Sequence, residues 1–192
     1  MMMRPYFSDA GLFLIDTVLG FYILIVMLRF LLQLTRADFY NPISQFVVKV
    51  TNPPLTRLRR VIPGFWGIDL AAVVLLIALE SSRLALVTIL LGHSAAPLGV
   101  VILSVAELLK LAAYVVIFSI FIRAVMSWFS SGHGHPMTRL LGSFTEPILR
   151  PARRLIPSTG GLDLSPLIVF IALMLFLKIV VQALLDLGRA FL

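Results

Sequence analysis

The chain has 192 residues, of which 60% are hydrophobic and only 13% are charged, with a formal net charge of +7 and no cysteine. Soluble domains carry about a quarter charged residues, so this composition is typical of a protein that crosses a membrane several times. The absence of cysteine excludes disulfides, thiolate catalysis and cysteine-ligated clusters.

Four apolar stretches, taken in chain order, are long enough to cross a bilayer. A transmembrane helix needs about 20 apolar residues to cross about 30 Å of hydrocarbon. The runs are continuous in Leu, Ile, Val and Phe, unlike the alternating strands of membrane β-barrels. We therefore predict an all-α membrane protein with four transmembrane helices. The predicted spans cover residues 11–34, 68–91, 106–129 and 166–188.

Two segments, residues 29–69 and 123–163, carry the same prolines, arginines and aspartates at a constant offset of 94 positions. Such self-similarity indicates a duplicated structural unit. Each copy holds two spans, so the second copy enters the membrane in the same orientation and the copies are parallel repeats. We predict one repeat over 1–97 and the other over 98–192. The matched residues are Arg29 with Arg123, Pro42 with Pro136, Thr51 and Pro53 with Thr145 and Pro147, Arg59 and Arg60 with Arg153 and Arg154, and Asp69 with Asp163.

Each repeat has a basic loop between its spans. Asn41 can cap a helix that begins at Pro42, and apolar residues then follow at helical spacing. This pattern predicts a short amphipathic helix in the headgroup region of each repeat, ended by the Thr-x-Pro motif. The positive-inside rule places both loops in the cytoplasm and both termini on the opposite side. The loop arginines predicted to bind anionic headgroups or a protein partner are Arg57, Arg59, Arg60, Arg150, Arg153 and Arg154.

Arg29 and Arg123 lie inside the predicted spans, roughly 8 Å from the cytoplasmic end at 1.5 Å per residue. Each could extend to the interface, as long basic side chains do. Their recurrence favours a second interpretation, in which each pairs with an acidic residue, Asp69 or Asp163, and clamps its repeat.

A second set of charges, Glu80, Arg83 and Lys178, is not repeated and lies in the outer half of the membrane. An ionisable side chain at this depth costs about 2.5–3.5 kcal/mol on insertion scales. Such residues either pair between helices or face water. The first alternative makes them structural, whereas the second makes them part of an ion path.

Enzymatic and cofactor signatures are missing from the sequence. His133 and His135 form an isolated His-x-His without acidic or cysteine neighbours, and His135 occupies the cap position of Asn41. Because no catalytic or ligand-binding motif is present, we predict no catalytic residue, cofactor or metal site. We also predict no nucleic-acid partner, because the positive charge is concentrated in the two loops.

The longest motifs of the chain resemble those of the two repeats of the YggT family. In the first repeat these are DFYNP at 38–42, FVVKVTNP at 46–53 and LRRVIP at 58–63. In the second repeat they are EPILRPARRLIP at 146–157 and GLDLSP at 161–166. The resemblance implies a small bacterial inner-membrane protein with relatives in plastids and no assigned enzymatic activity. It also implies roles in osmotic or ion homeostasis, in membrane organisation linked to division, or in assembly of a photosynthetic cytochrome.

From these observations we predict a multi-pass inner-membrane scaffold or assembly protein. Its cytoplasmic basic loops would dock partner proteins or anionic lipid headgroups. The alternative is an ion channel or transporter, which four spans could form only as a homo-oligomer using Glu80, Arg83 and Lys178.

Overall fold

The computed structural model describes residues 6–65, 67–92, 96–129, 135–155 and 163–191, which are almost wholly helical. Near the end of the chain a single π-helical turn, Leu177–Val181, joins two helices into one continuous rod. The helices are α1 (Tyr6–Leu34), α2 (Pro42–Leu58), α3 (Leu70–Leu90), α4 (Pro97–Phe129), α5 (Pro136–Leu155), α6 (Ser165–Phe176) and α7 (Gln182–Ala190).

Four helical segments among the described residues are long and apolar enough to cross a membrane, which confirms the predicted fold class. The spans are Asp9–Leu34, Leu70–Leu90, Pro97–Ser127 and Ser165–Ala190. The third begins at Pro97, well before the predicted residue 106, because proline suits a first helical position and residues 98–105 are almost entirely apolar. This helix is about 50 Å long at 1.5 Å per residue.

Helices α2 and α5 each continue through the prolines that we expected to end them. Pro53 and Pro54 lie inside α2, and Pro147 and Pro151 lie inside α5. Proline removes one backbone donor and leaves a carbonyl four residues earlier without its partner. Pro53 and Pro147 face outward, where water or headgroups can solvate that carbonyl. The Thr-x-Pro motif therefore lies within the helix rather than at its end.

The core connects the two repeats. In the first repeat α1 packs against α2 and α3, and α4 packs in the same way against α5 and the last span. Helix α4 also contacts α1 and α3, so it joins the repeats. Large apolar side chains remain exposed on the outside of the spans, as lipid-facing residues are. The central cluster includes Ile23, Val26, Met27, Leu76, Leu108, Val116, Phe144, Leu149 and Val169.

Two glycines allow the start of α4 to approach the end of α7 closely. A Cβ atom added to Gly99 would lie 3.0 Å from the backbone carbonyl carbon and oxygen of Phe191. A Cβ atom added to Gly188 would lie 2.7 Å from the Leu103 side chain. Small residues at such crossings let membrane helices pack backbone to backbone.

We expect Gly99→Ala to lower the free energy of unfolding by about 1–3 kcal/mol, because a backbone cannot move aside as a flexible side chain can. The thermal unfolding midpoint of the purified protein in detergent measures this effect. Gly20→Ala in α1 is the matched control, since a Cβ there has no neighbour within 4 Å. Equal midpoints for the two variants would contradict the close approach.

Candidate functional site

The basic helices α2 and α5 meet near their N-terminal ends. Asn41 is 1% exposed, and its Oδ1 caps α2 by accepting from the Ile43 amide at 3.0 Å. Its Nδ2 donates to the carbonyl oxygen of Pro136 at 2.6 Å. Beside it, the Asp38 amide donates to Ser143 Oγ at 3.1 Å. The two repeats are thus joined on the side of the bundle that carries the basic helices.

His135 takes the same cap position in α5. Its Nδ1 accepts from the Met137 amide at 3.2 Å, which confirms the predicted capping role. His133 lies outside the described residues.

Arg29 links α1 to α2 through neutral acceptors. The side chain is 7% exposed, and its Nη1 donates to Val48 O at 3.0 Å, to Thr51 Oγ1 at 2.8 Å and to Asn52 Oδ1 at 2.8 Å. The hydroxyl of Thr51 in turn donates to Val47 O at 2.7 Å. The predicted pairing of Arg29 with Asp69 is therefore wrong. The guanidinium instead donates its hydrogen bonds to the turn of α2 that contains the Thr-x-Pro motif.

Arg123 makes the corresponding link between α4 and α5. Its Nη1 donates to Thr145 Oγ1 at 2.6 Å, and Thr145 donates to Leu141 O at 2.7 Å. Unlike Arg29, it also forms an ion pair, with Nη2 3.3 Å from Glu146 Oε2. Its predicted pairing with Asp163 is likewise wrong.

Asp69 and Asp163 pair with arginines at the far ends of the basic helices. Arg59 forms an ion pair with Asp69, its Nε donating to Oδ2 at 3.2 Å. Arg153 Nε donates to Asp163 Oδ2 at 2.9 Å. The second oxygen of each aspartate accepts a backbone amide at the start of the next span, at 3.3 Å from Ala72 and 2.9 Å from Ser165. Each aspartate therefore ties a basic helix to the span that follows.

The second repeat contains one extra carboxylate. Glu146 accepts from Arg153 Nη1 at 2.7 Å while also pairing with Arg123, so it bridges the two arginines. Burial alone would raise the pKa of Glu146, but the hydrogen bonds and charges of Arg153 and Arg123 outweigh it and lower the pKa. Burial would also raise the pKa of Asp163, and its bonds with Ser165 and Arg153 lower it below its usual value.

The six arginines predicted to contact a partner divide into two groups. Arg59 and Arg153 are engaged by the aspartates. Four others are exposed and lie toward the C-terminal ends of α2 and α5, where a positive charge also suits the helix dipole. These four, which we call the exposed arginines, are Arg57, Arg60, Arg150 and Arg154.

The unrepeated charges do not form the predicted cluster of three. Glu80 is 3% exposed and accepts from Arg83 Nε at 3.1 Å, and Arg83 Nη1 also donates to Asp16 at 2.8 Å. Lys178 instead lies in the π-helical turn of the last span, exposed and without an ion pair among the described residues. The third member of the group with Glu80 and Arg83 is Asp16, not Lys178.

Sequence reasoning missed four residues that hold the site together, namely Thr51, Asn52, Thr145 and Glu146. The signal was present in the repeat, because Thr-x-Pro recurs at the offset of 94 with Asn in one copy and Glu in the other. The proline of this motif favours a helix end, which draws attention away from the threonine as an acceptor.

The comparison with known families matches the chain twice. The profile of the CCB3/YggT family matches residues 8–90 and 102–184. The two matches are offset by the same 94 positions as the sequence repeat, which supports the two-repeat layout. No solved structure matches the chain significantly.

Several bacterial proteins are similar over most of their length. An uncharacterized protein of Pseudomonas aeruginosa is 42% identical over 91% of this chain and 90% of its own. An uncharacterized Vibrio alginolyticus protein is 40% identical over 84% of this chain and 88% of its own. The protein YggT of Escherichia coli K12, also described as uncharacterized, is 39% identical over 84% of both chains.

The lowered pKa values of Glu146 and Asp163 predict a dependence of stability on pH. A carboxylate with a lowered pKa in the folded state stabilises the protein above its unfolded-state pKa, about 4.3 for Glu, and this stabilisation is lost as the pH falls toward the folded value. We expect the unfolding midpoint of wild type to exceed that of Glu146→Gln at pH 7. The difference should shrink as the pH falls below about 4.3. A difference that stays constant with pH would contradict the ion-pair bridge.

Proposed function

The chain belongs to the CCB3/YggT family, and from this premise we propose that it is a non-enzymatic scaffold of the bacterial inner membrane. The exposed arginines at the C-terminal ends of α2 and α5 bind anionic lipid headgroups on the cytoplasmic side. The surface formed in this way is where partner proteins dock.

The observation that carries this proposal is the rigid attachment of two basic helices to one side of the bundle. Residues on one side of α2, among them Val47, Thr51 and Leu55, are buried, while Arg57 and Arg60 face outward. Helix α5 likewise has one buried side and exposed arginines, and Asn41 joins the two helices through its bond to Pro136. Juxtamembrane basic residues attract anionic lipid with about 1 kcal/mol each, and fixed helices keep them at headgroup depth.

Two further features support the placement in the membrane. Helical spans are typical of inner rather than outer bacterial membranes, which use β-barrels. The turn between α3 and α4 contains no Lys or Arg at residues 91–97, whereas both basic helices lie at the opposite end of the spans. The positive-inside rule then assigns the basic side to the cytoplasm.

The contacts of the intramembrane charges favour this scaffold over a channel. The channel alternative uses Glu80, Arg83 and Lys178, which would have to face water together. Here Arg83 is shared between Glu80 and Asp16, and Lys178 is exposed elsewhere. Paired in this way, Arg83 links α1 to α3, a structural role.

Three variants, each lacking two positive charges, test the proposal. Arg57→Gln with Arg60→Gln alters the first repeat, and Arg150→Gln with Arg154→Gln alters the second. Lys178→Gln with Arg189→Gln is the control away from the basic helices.

We expect each basic-helix double variant to bind phosphatidylglycerol about 30-fold more weakly than wild type, from about 1 kcal/mol per arginine. Titration of the lipid into the purified protein, followed by native mass spectrometry, measures the affinity. The control should bind as wild type does. Wild-type affinity in both basic-helix variants would reject the proposal.

A further inference from the structure

A cavity of about 400 Å³ opens between the basic end of α1 and the helix α2. Three arginines, Arg29, Arg36 and Arg59, line it, together with the polar side chains of Gln33 and Ser44. Leu32 and Val47 supply an apolar part of the wall. The cavity therefore combines concentrated positive charge with an apolar surface at the headgroup end of a span.

Arg29, which lines this cavity, has unused donors. All three of its hydrogen bonds leave from Nη1, and all go to uncharged acceptors, on Val48, Thr51 and Asn52. Within the described part of the chain, Nη2 and Nε donate to no residue and no carboxylate lies within ion-pair distance. A buried charge without a counter-ion is unfavourable. The free edge of a guanidinium matches two oxygens of a phosphate group.

The second repeat shows what is missing from the first. Glu146 occupies the position equivalent to Asn52 and neutralises Arg123 while bridging to Arg153. In the second repeat two arginines pair with two carboxylates, those of Glu146 and Asp163. In the first repeat the two equivalent arginines, Arg29 and Arg59, have only the carboxylate of Asp69. In the first repeat this set of three side chains therefore retains one uncompensated positive charge, on Arg29.

Arg36, which lines the same cavity, has an unusual backbone conformation. Arg36 has φ of 53°, a left-handed conformation in which glycine is favoured after a helix end. The Ala37 amide bonds to Leu32 O at 2.9 Å, which closes the last turn of α1 around it. A bulky residue is unfavourable at such a position, and strained residues of this kind cluster at ligand sites.

We propose that this cavity binds a phosphate group, carried by an anionic lipid headgroup or by a soluble phosphate, which supplies the counter-charge that Asn52 lacks. The inference rests on the proposed function, because it identifies one specific headgroup site within the basic surface. The phosphate accepts from Arg29 and Arg36, and the apolar wall faces the adjoining part of the ligand. The equivalent place in the second repeat is closed to anions by Glu146.

The decisive variant is Asn52→Glu, which gives the first repeat the carboxylate that the second already has. We expect it to fold, to unfold at the same or a higher temperature than wild type, and to bind phosphatidylglycerol at least tenfold more weakly. Arg36→Gln, which leaves the Arg29 contacts in place, should also weaken binding. Lys178→Gln is the charge control and should bind as wild type does.

Two probes separate the sources of the phosphate. Phosphatidylglycerol is added to the full-length protein in neutral detergent, and inorganic phosphate is added separately against chloride of equal ionic strength. A rise in the unfolding midpoint with the lipid alone assigns the site to a headgroup. A rise with inorganic phosphate as well assigns it to soluble phosphates. In both cases the rise must be smaller in Asn52→Glu than in wild type, because the exposed arginines still bind lipid in that variant.

Wild-type affinity for the probes in both Asn52→Glu and Arg36→Gln overturns the inference, as does the absence of any response in wild type. The variant with Arg57→Gln and Arg60→Gln distinguishes this failure from failure of the proposed function. Loss of lipid in that variant with full binding in Asn52→Glu rejects only the cavity. The reverse pattern keeps the cavity and rejects the wider basic surface.

Discussion

The arrangement of the basic side depends on one contact that occurs twice, a span arginine that donates to the threonine of Thr-x-Pro. Arg29 reaches Thr51 at 2.8 Å and Arg123 reaches Thr145 at 2.6 Å. Each threonine hydroxyl accepts from the arginine and donates to a carbonyl of its own helix, so both of its hydrogen-bonding roles are used. Separating this contact would remove a charge-assisted hydrogen bond from each arginine, which matters most for Arg29, because it is buried and has no ion pair.

A second contact fixes the other end of each basic helix. Asp69 and Asp163 accept from Arg59 and Arg153 and also from backbone amides at the next span. With both contacts made, the helix is tied to the span before it and the span after it. The remaining arginines are then held at the surface. The scaffold function that we propose depends on this division between arginines that hold the fold and arginines that are exposed.

The sequence predicted the parts of the fold that depend on run length and on repetition. Apolar stretches of about 20 residues specify the spans, and the offset between Arg29 and Arg123 relates the two halves. The same information did not predict that Lys178 is exposed on the surface of the bundle. A helix with apolar residues on every side does not show in its sequence which side faces the lipid. The partner of Arg29 was also missed, since charge complementarity favours Asp69, while the nearest acceptors in the fold are neutral oxygens of α2.

The two repeats share a framework but not its charges. Asn52 and Glu146 occupy equivalent places, and this one difference leaves Arg29 without the counter-ion that Arg123 has. At this contact the second copy is closed by its own carboxylate, and the first is the copy for which we propose a ligand.

The most direct test of the account is a double-mutant cycle between Arg29→Gln and Thr51→Val, with the free energy of unfolding measured for wild type, each single variant and the double variant. The account predicts that the two changes are coupled by about 1 kcal/mol or more, because either one alone removes the same contact. Strictly additive effects would show that the arginine and the threonine do not act together, and would contradict the account.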